Sequence, residues 1–249
     1  MSQKLKDKVC IVTGATSGMG KSIAEVFSEE GAKLVLSGRN TERGNALATA
    51  LKEAIFIPGD VSEAPYNEKL VQAAIENFGK LDVLSINAGI LGLGNVVQLD
   101  LAEWQKTLDT NLSAIFYLSK YAIPHLLEGE GNILINSSIA AFKSFPNHPA
   151  YCASKAASLA LMKQMAVEYG PKIRVNAICP GPVDTPLLWN SAKAFEDPET
   201  AVENAGKTTL LNRLGTPEDI SKLALFLVSE DSSWITGSAM TIDGGILNA

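Results

Sequence analysis

Short runs of consecutive apolar residues alternate along this chain with longer stretches in which apolar residues recur every three or four positions. The first pattern suits strands buried on both faces of a sheet, and the second suits helices that cover those faces. Val9-Cys10-Ile11-Val12, Leu34-Val35-Leu36, Ile55-Phe56-Ile57 and Leu81-Asp82-Val83-Leu84 predict the first four strands. Ile133-Leu134-Ile135, Arg174-Val175-Asn176-Ala177-Ile178 and Met240-Thr241-Ile242 predict three more. After the first strand, Ile23, Val26 and Phe27 mark the inner face of a helix that ends at Glu30-Gly31, with Gly31 suited to the position just past the last turn. Leu70, Val71, Ala74, Ile75 and Phe78 form a second stripe, closed by Gly79. A long helix is expected from Leu101 to Leu127, with Trp104, Leu108, Leu112, Ile115 and Phe116 facing inward. Thr216-Pro217-Glu218-Asp219 reads as N-cap, proline at the first helical position and acidic first turn. Strands alternating with helices predict an α/β fold: a doubly wound, seven-stranded parallel sheet of the Rossmann type, in a single domain spanning residues 1–249.

Composition narrows what such a domain can do. Of the 249 residues, 46% are hydrophobic, enough for one large core, and no composition shift or repeat suggests a second domain. A net charge of −6 argues against nucleic acid, whose binding depends on neutralising phosphates, and against an anionic membrane surface. Cys10, Cys152 and Cys179 are few and scattered, making neither a disulfide framework nor a metal pattern, which fits a reducing cytoplasm. The start lacks an apolar signal segment, and the longest uncharged stretch, Val83 to Leu99, is too broken by polar residues to span a membrane.

Two groups of residues carry candidate chemistry. Thr13-Gly14-Ala15-Thr16-Ser17-Gly18-Met19-Gly20 falls between the first strand and the first helix. Glycines there let the backbone approach a pyrophosphate, and the helix N-terminus offers free N–H groups and positive potential. About twenty residues on, where an NAD site would offer a carboxylate, the chain reads Ser37-Gly38-Arg39-Asn40. Arg39 either pairs with a 2′-phosphate and stacks on adenine, favouring NADP(H) with NAD(H) possible, or is an exposed loop arginine. The second group is Tyr151 and Lys155, one helical turn apart, with Ser138 thirteen residues upstream of the tyrosine. A phenol, whose free pKa is about 10, needs a nearby cation to act as an acid and base near neutrality. Ser138 lies beyond the fifth strand, where a hydroxyl could hold a substrate oxygen; Ser137 beside it is the competing reading.

Taken together, Thr13-Gly14-x-x-x-Gly18-x-Gly20, Asp60-Val61, Asn87-Ala88-Gly89, Asn111, Ser138, Tyr151-x-x-x-Lys155 and Pro180-Gly181 followed by Thr185 resemble the short-chain dehydrogenase/reductase family over the whole chain. The resemblance implies that Tyr151 is the acid and base, that Ser138 holds the substrate oxygen, and that Lys155 lowers the tyrosine pKa and binds the nicotinamide ribose. It further implies that Asn111 kinks the long helix and supports a water-linked relay to Lys155. By the same resemblance Gly14, Ser17, Gly18, Met19, Gly20, Asp60, Val61, Asn87, Ala88, Gly89, Pro180, Gly181, Val183 and Thr185 hold the dinucleotide. Read without it, Asn111 is a buried amide and Asp60 a helix cap. Two departures stand out: Ile86 replaces a common asparagine, and Met19 a common isoleucine. The Tyr–Lys spacing speaks against the enoyl reductase branch. A homotetramer, through the long helix and the tyrosine helix, is also implied.

The substrate wall is expected from Leu91-Gly92-Leu93, Ala140 to Phe145 and Pro186-Leu187-Leu188-Trp189, with Leu188 in contact. The polar run from Asn190 to Lys207 predicts either a lid, within about residues 186–212, or an ordinary surface helix. His148 either touches substrate or lies at the surface, and His125 is structural. The expected partner is a small carbonyl or alcohol. The rival readings are a 3-oxoacyl-[acyl-carrier-protein] reductase, which the acidic Leu127-Glu128-Gly129-Glu130-Gly131 would disfavour by repelling an acidic carrier, and a dinucleotide-binding sensor without turnover, which has no need of Ser138, Tyr151 and Lys155.

Overall fold

A computed structural model describes residues 3–249. Among them, β1 (Val9–Val12), β2 (Lys33–Gly38), β3 (Ala54–Pro58), β4 (Val83–Ile86), β5 (Gly131–Asn136), β6 (Ile173–Pro180) and β7 (Ala239–Ile242) form one seven-stranded sheet in the order β3-β2-β1-β4-β5-β6-β7. Every neighbouring pair is parallel. The connections carry α1 (Gly18–Glu29), α2 (Thr41–Ala50), α3 (Ala64–Phe78), α4 (Leu101–Leu108), α5 (Ala114–Leu126), α6 (Pro149–Tyr169), α7 (Pro186–Ala192), α8 (Pro198–Lys207) and α9 (Pro217–Val228).

Side chains of a strand alternate between the faces of a sheet, and the central strands divide the core accordingly. Val9, Ile11, Leu84 and Ile133 pack with Leu70 and Ala74 of α3, Leu118 and Ala122 of α5 and Met162 of α6. Cys10, Val12, Leu34 and Leu134 pack on the other side with Ile23 and Phe27 of α1 and Ile220 and Leu227 of α9. The strand order turns back between β1 and β4, so the loops leaving these two strands diverge and open a crevice at their C-terminal ends. Every candidate site residue lies at that end of the sheet or on a helix beside it.

Helix boundaries follow the expected caps. Gly79 adopts the left-handed conformation at φ 79° after α3, and Gly31 does so at φ 88° after α1. Thr216 and Asp219 exchange side-chain-to-backbone hydrogen bonds at the start of α9, a complete capping box. Between β6 and α9 the chain makes a long excursion carrying α7 and α8. Its base is tied by Val183 pairing with Gly215, through Gly215 N–H to the Pro182 carbonyl at 2.9 Å and Asp184 N–H to the Gly215 carbonyl at 2.9 Å. No helix among the described residues is long and apolar enough to cross a membrane.

Three details differ from the periodicity reading. The long helix is two helices, joined by a five-residue π turn at Asp109–Ser113. Ile115 packs inward while Phe116 is 52% exposed, because the inward stripe of α5 runs through Ala114, Ile115, Leu118, Ala122 and Ile123 and leaves position 116 outside it. Thr41–Ala50 forms a helix that no apolar stripe announces, because it buries only Gly44 and Leu47; Asn40 caps it by accepting from the Arg43 N–H at 2.8 Å. Gly44 is there for space, as a Cβ on it would lie 2.2 Å from the Phe56 ring of β3. Gly44→Ala is therefore expected to destabilise the protein by about 1–3 kcal/mol through overpacking. Helix propensity alone predicts a gain of about 1 kcal/mol, so the sign of the shift in a urea unfolding midpoint decides between them.

Candidate active site

The first turn after β1 is shaped by close backbone approach. A Cβ on Gly14 (φ 65°) would lie 2.9 Å from the Ala88 nitrogen, and one on Gly20 would lie 2.4 Å from the Gly14 carbonyl oxygen. The loop thus presses against the loop after β4, where Thr13 Oγ1 accepts from the Asn87 N–H at 3.0 Å. Ser17 starts α1 without a side-chain cap, and no acidic residue occupies the first turn, so the N-terminal N–H groups and their positive potential face an open space. That space is a cavity of about 170 Å³ lined by the Gly14–Gly20 loop and by Arg39, Asp60, Val61, Asn87, Ala88, Gly89 and Thr185. Glycine backbone, uncapped helix terminus and elongated crevice fit a dinucleotide.

Arg39 stands at the mouth of this cavity with its side chain 64% exposed, and its nearest anionic partner, an Asp60 carboxylate oxygen, is 4.0 Å away. Asp60 does not cap α3, whose N-cap is Glu63; its Oδ1 instead accepts from the Ser62 N–H and hydroxyl. Thr16, Gly38, Gly59, Ile90 and Thr110 also line the cavity, and the motif reading did not single them out.

A second cavity of about 720 Å³ shares Met19, Thr185 and Leu187 with the first. Ser138, Tyr151, Pro180, Gly181, Val183 and Leu188 line it. Ser138 starts a short 3-10 turn, Ile139–Ala141, and its Oγ accepts from the Ala140 N–H at 3.1 Å, so its own proton is not spent on the backbone and the hydroxyl is within reach of the Tyr151 phenol. Ser137 is committed elsewhere: its hydroxyl bonds the Lys155 carbonyl and Ser158 Oγ, both at 3.0 Å. Both serines line this cavity, but Ser137 turns its hydroxyl into α6.

Lys155 is buried one turn beyond Tyr151. Its ammonium donates to the Asn136 carbonyl at 2.8 Å and lies 5.6 Å from the Tyr151 ring centroid. Asn111, in the π turn, accepts from the Ile90 N–H at 2.8 Å and donates to the Ile90 carbonyl at 2.9 Å and Ser154 Oγ at 3.0 Å. The amide therefore clamps the loop after β4 onto α6, and a Cβ on Gly89 would touch both Asn111 Oδ1 and Lys155 Nζ, at 3.4 and 3.6 Å. His148 is not at the surface: it is 3% exposed and lines the second cavity. Among the described residues no cluster of histidine, cysteine or carboxylate is placed to hold a metal ion.

Residues 14–247 match the family model described as "Enoyl-(Acyl carrier protein) reductase". The chain is 38% identical over 264 residues to a 3beta-hydroxysteroid dehydrogenase of Mediterraneibacter gnavus, covering 97% of this chain and 95% of that one. It is 33% identical over 253 residues to the 3-oxoacyl-[acyl-carrier-protein] reductase FabG of Thermotoga maritima, covering 98% and 99%. The crystal structure of levodione reductase superposes with a TM-score of 0.94 at 32% identity, over 98% and 99% of the two chains.

The chain is a short-chain dehydrogenase/reductase.

Membership makes it an oxidoreductase of CH–OH groups that uses an NAD(P)-type nucleotide and a small-molecule substrate. In this short-chain dehydrogenase/reductase, burial pushes the Tyr151 phenol up to about 12, with hydrogen bonding from Ser138 acting the other way. Burial likewise pushes Lys155 down to about 8. The lowering of the phenol expected from the neighbouring cation is not realised: the Lys155 ammonium donates to the Asn136 carbonyl, and desolvation dominates at the phenol.

Two outcomes follow. Ser138→Ala is expected to lower kcat/KM by ~10²-fold or more, whereas Ser137→Ala costs about 1 kcal/mol of stability with a far smaller kinetic effect; steady-state kinetics and urea unfolding separate them. For Lys155, a folded pKa of about 8 against an ordinary 10.5 means that the unfolded chain holds more protons between those values. Stability contributed by this position therefore rises with pH across that window. The unfolding free energy of wild type relative to that of Lys155→Met should therefore rise from pH 8 to 10.5, the raised Cys10 and Cys179 thiols acting in the opposite direction but in both proteins.

Proposed function

We propose that this enzyme interconverts a bulky, largely apolar ketone and its secondary alcohol, with NADP(H) favoured over NAD(H) and Tyr151 as acid and base. The observation that carries this reading is the second cavity: at about 720 Å³ it is roomy, and its walls beyond Ser138 and Tyr151 are mostly apolar, from Leu91, Phe145, Leu188, Phe195 and Val202. A polyol would leave its hydroxyls unpaired against such walls. The steroid and levodione named for two relatives are alicyclic, in keeping with this.

In the reductive direction Ser138 turns its hydroxyl proton to the substrate oxygen and Tyr151 delivers the proton that completes the alcohol. A phenol at about 12 is fully protonated at neutral pH, the form that reduction needs. Lys155, charged below about 8, favours phenolate as the proton leaves and is in place beside Gly89 to reach a ribose hydroxyl. Asn111 holds the floor under both. The nicotinamide supplies the hydride, and the Gly14–Gly20 loop, Asp60, Val61, Asn87, Ala88, Gly89, Pro180, Gly181, Val183 and Thr185 hold its nucleotide. Arg39, exposed and only loosely engaged by Asp60, supports a 2′-phosphate. The segment of α7 and α8 acts as a lid. Exposed Phe116 on α5 and Val167 on α6 support a homotetramer.

The FabG relative makes a 3-oxoacyl-[acyl-carrier-protein] reductase the second reading. Exposed Glu128 and Glu130 after α5 weigh against docking of an acidic carrier.

Titration of the purified protein with NADPH and NADH is expected to show NADPH binding ~10-fold tighter, a gap of about 1.4 kcal/mol, that Arg39→Ala largely closes. Equal or tighter NADH binding would overturn the assignment of Arg39.

A further inference from the structure

The ring of His148 is held on every side. It precedes the first residue of α6, the helix that carries Tyr151 and Lys155. Nδ1 lies 2.6 Å from the Pro146 carbonyl, which can only accept, so Nδ1 carries a proton. In the neutral ring Nε2 is then an acceptor, and it lies 2.8 Å from the Ser191 hydroxyl of α7. The ring meets Tyr151 edge to face at 6.3 Å between centroids and Phe145 at 6.4 Å. The neighbouring residue adds two more ties: Asn147, in the left-handed region at φ 61°, donates through Nδ2 to the Ala194 carbonyl just past α7 at 3.3 Å. Its own carbonyl accepts from the Gly94 N–H at 3.0 Å.

These contacts meet where no regular secondary structure joins the parts. The segment before α6, the loop after β4 and α7 form three sides of the substrate cavity, and α7 itself packs mainly against α8. The bond from His148 to Ser191 is part-buried on an otherwise apolar wall, where a polar group is costly to leave unpaired.

We propose that His148 is a specificity-determining positioning residue: with Asn147 it forms a clasp that holds α7 at a set distance from the phenol of Tyr151 and so fixes the width of the substrate cavity. This inference rests on the assignment of that cavity to a ketone. His148 acts through Ser191 on one side and against the Tyr151 ring on the other, without itself exchanging a proton with substrate. A substrate broad enough to touch both Tyr151 and α7 experiences the clasp as affinity, whereas the chemical step at Ser138 and Tyr151 does not depend on it.

Two amides separate the two halves of the ring's work. In His148→Asn the shorter side chain can still donate to the Pro146 carbonyl but cannot reach Ser191. In His148→Gln the longer one can reach Ser191 but not Pro146. Hydrogen–deuterium exchange over residues 186–192 reads the clasp directly. His148→Asn and Ser191→Ala are expected to speed exchange there by ~10-fold, while His148→Gln stays near wild type. With NADPH and 1-decalone as probe, His148→Asn and Ser191→Ala should raise KM by ~10-fold while kcat falls by less than ~2-fold. The double variant should be no worse than either single one. Unchanged exchange over α7, a Gln variant as impaired as the Asn variant, or additive effects would each overturn the clasp. A wild-type protein that binds NADPH but reduces no decalone would instead count against the ketone reading, and the exchange measurement would still decide the clasp on its own.

Discussion

A single hydrogen bond, from the buried Lys155 ammonium to the Asn136 carbonyl at the end of β5, organises the site. It joins the helix that carries the phenol to the sheet edge from which Ser138 emerges two residues later. An ammonium in such surroundings is costly, since burial alone lowers its affinity for a proton. The fold accepts that cost at one point and arranges the neighbours around it. Ser137 and Ser158 bond back to the carbonyl of Lys155 itself, and Asn111 braces the adjoining loop against the same helix. Each of these groups is polar and buried, and each has a partner, which makes the network stiff.

The nucleotide crevice depends on the opposite strategy, the removal of side chains. Gly14, Gly20 and Gly38 sit where any Cβ would meet backbone or Thr16 at 2.9 Å or less. The three loops leaving β1, β2 and β4 can therefore approach one another closely enough to leave a slot for a ligand rather than a hydrophobic plug. Charge enters only at the rim, through Arg39 and Asp60. One half of the active region is thus built from hydrogen-bonded side chains and the other from bare backbone.

Much of this was legible in the sequence. The strand runs, the Gly31 and Gly79 stops and the Thr216 cap all translate local chemistry into local geometry. The motif residues converge on two adjoining cavities because strand ends and helix starts in a parallel sheet lie on one edge. What escaped the sequence depends on contacts between distant segments. The helix at Thr41–Ala50 covers an edge strand and needs no continuous apolar stripe. The resemblance implies a kink at Asn111 but not its form, a π turn from which Asn111 bonds Ile90, twenty-one residues away. His148 reads as a surface residue until α7 is laid across it, and nothing near it in the chain announces Ser191.

The excursion between β6 and α9 is tied at its base by the Val183–Gly215 pairing, so its ends are fixed whatever lies between them. Loop-closure entropy grows only with the logarithm of length, about 0.6 kcal/mol for each doubling. The segment that supplies nearly half of the lining of the second cavity is in this sense a cartridge. Beyond Leu187, the last of its residues to line the first cavity, it can be lengthened, shortened or exchanged with little consequence for the sheet. A lineage built on this plan can explore new substrates by rewriting one insert, while the chemistry is inherited intact.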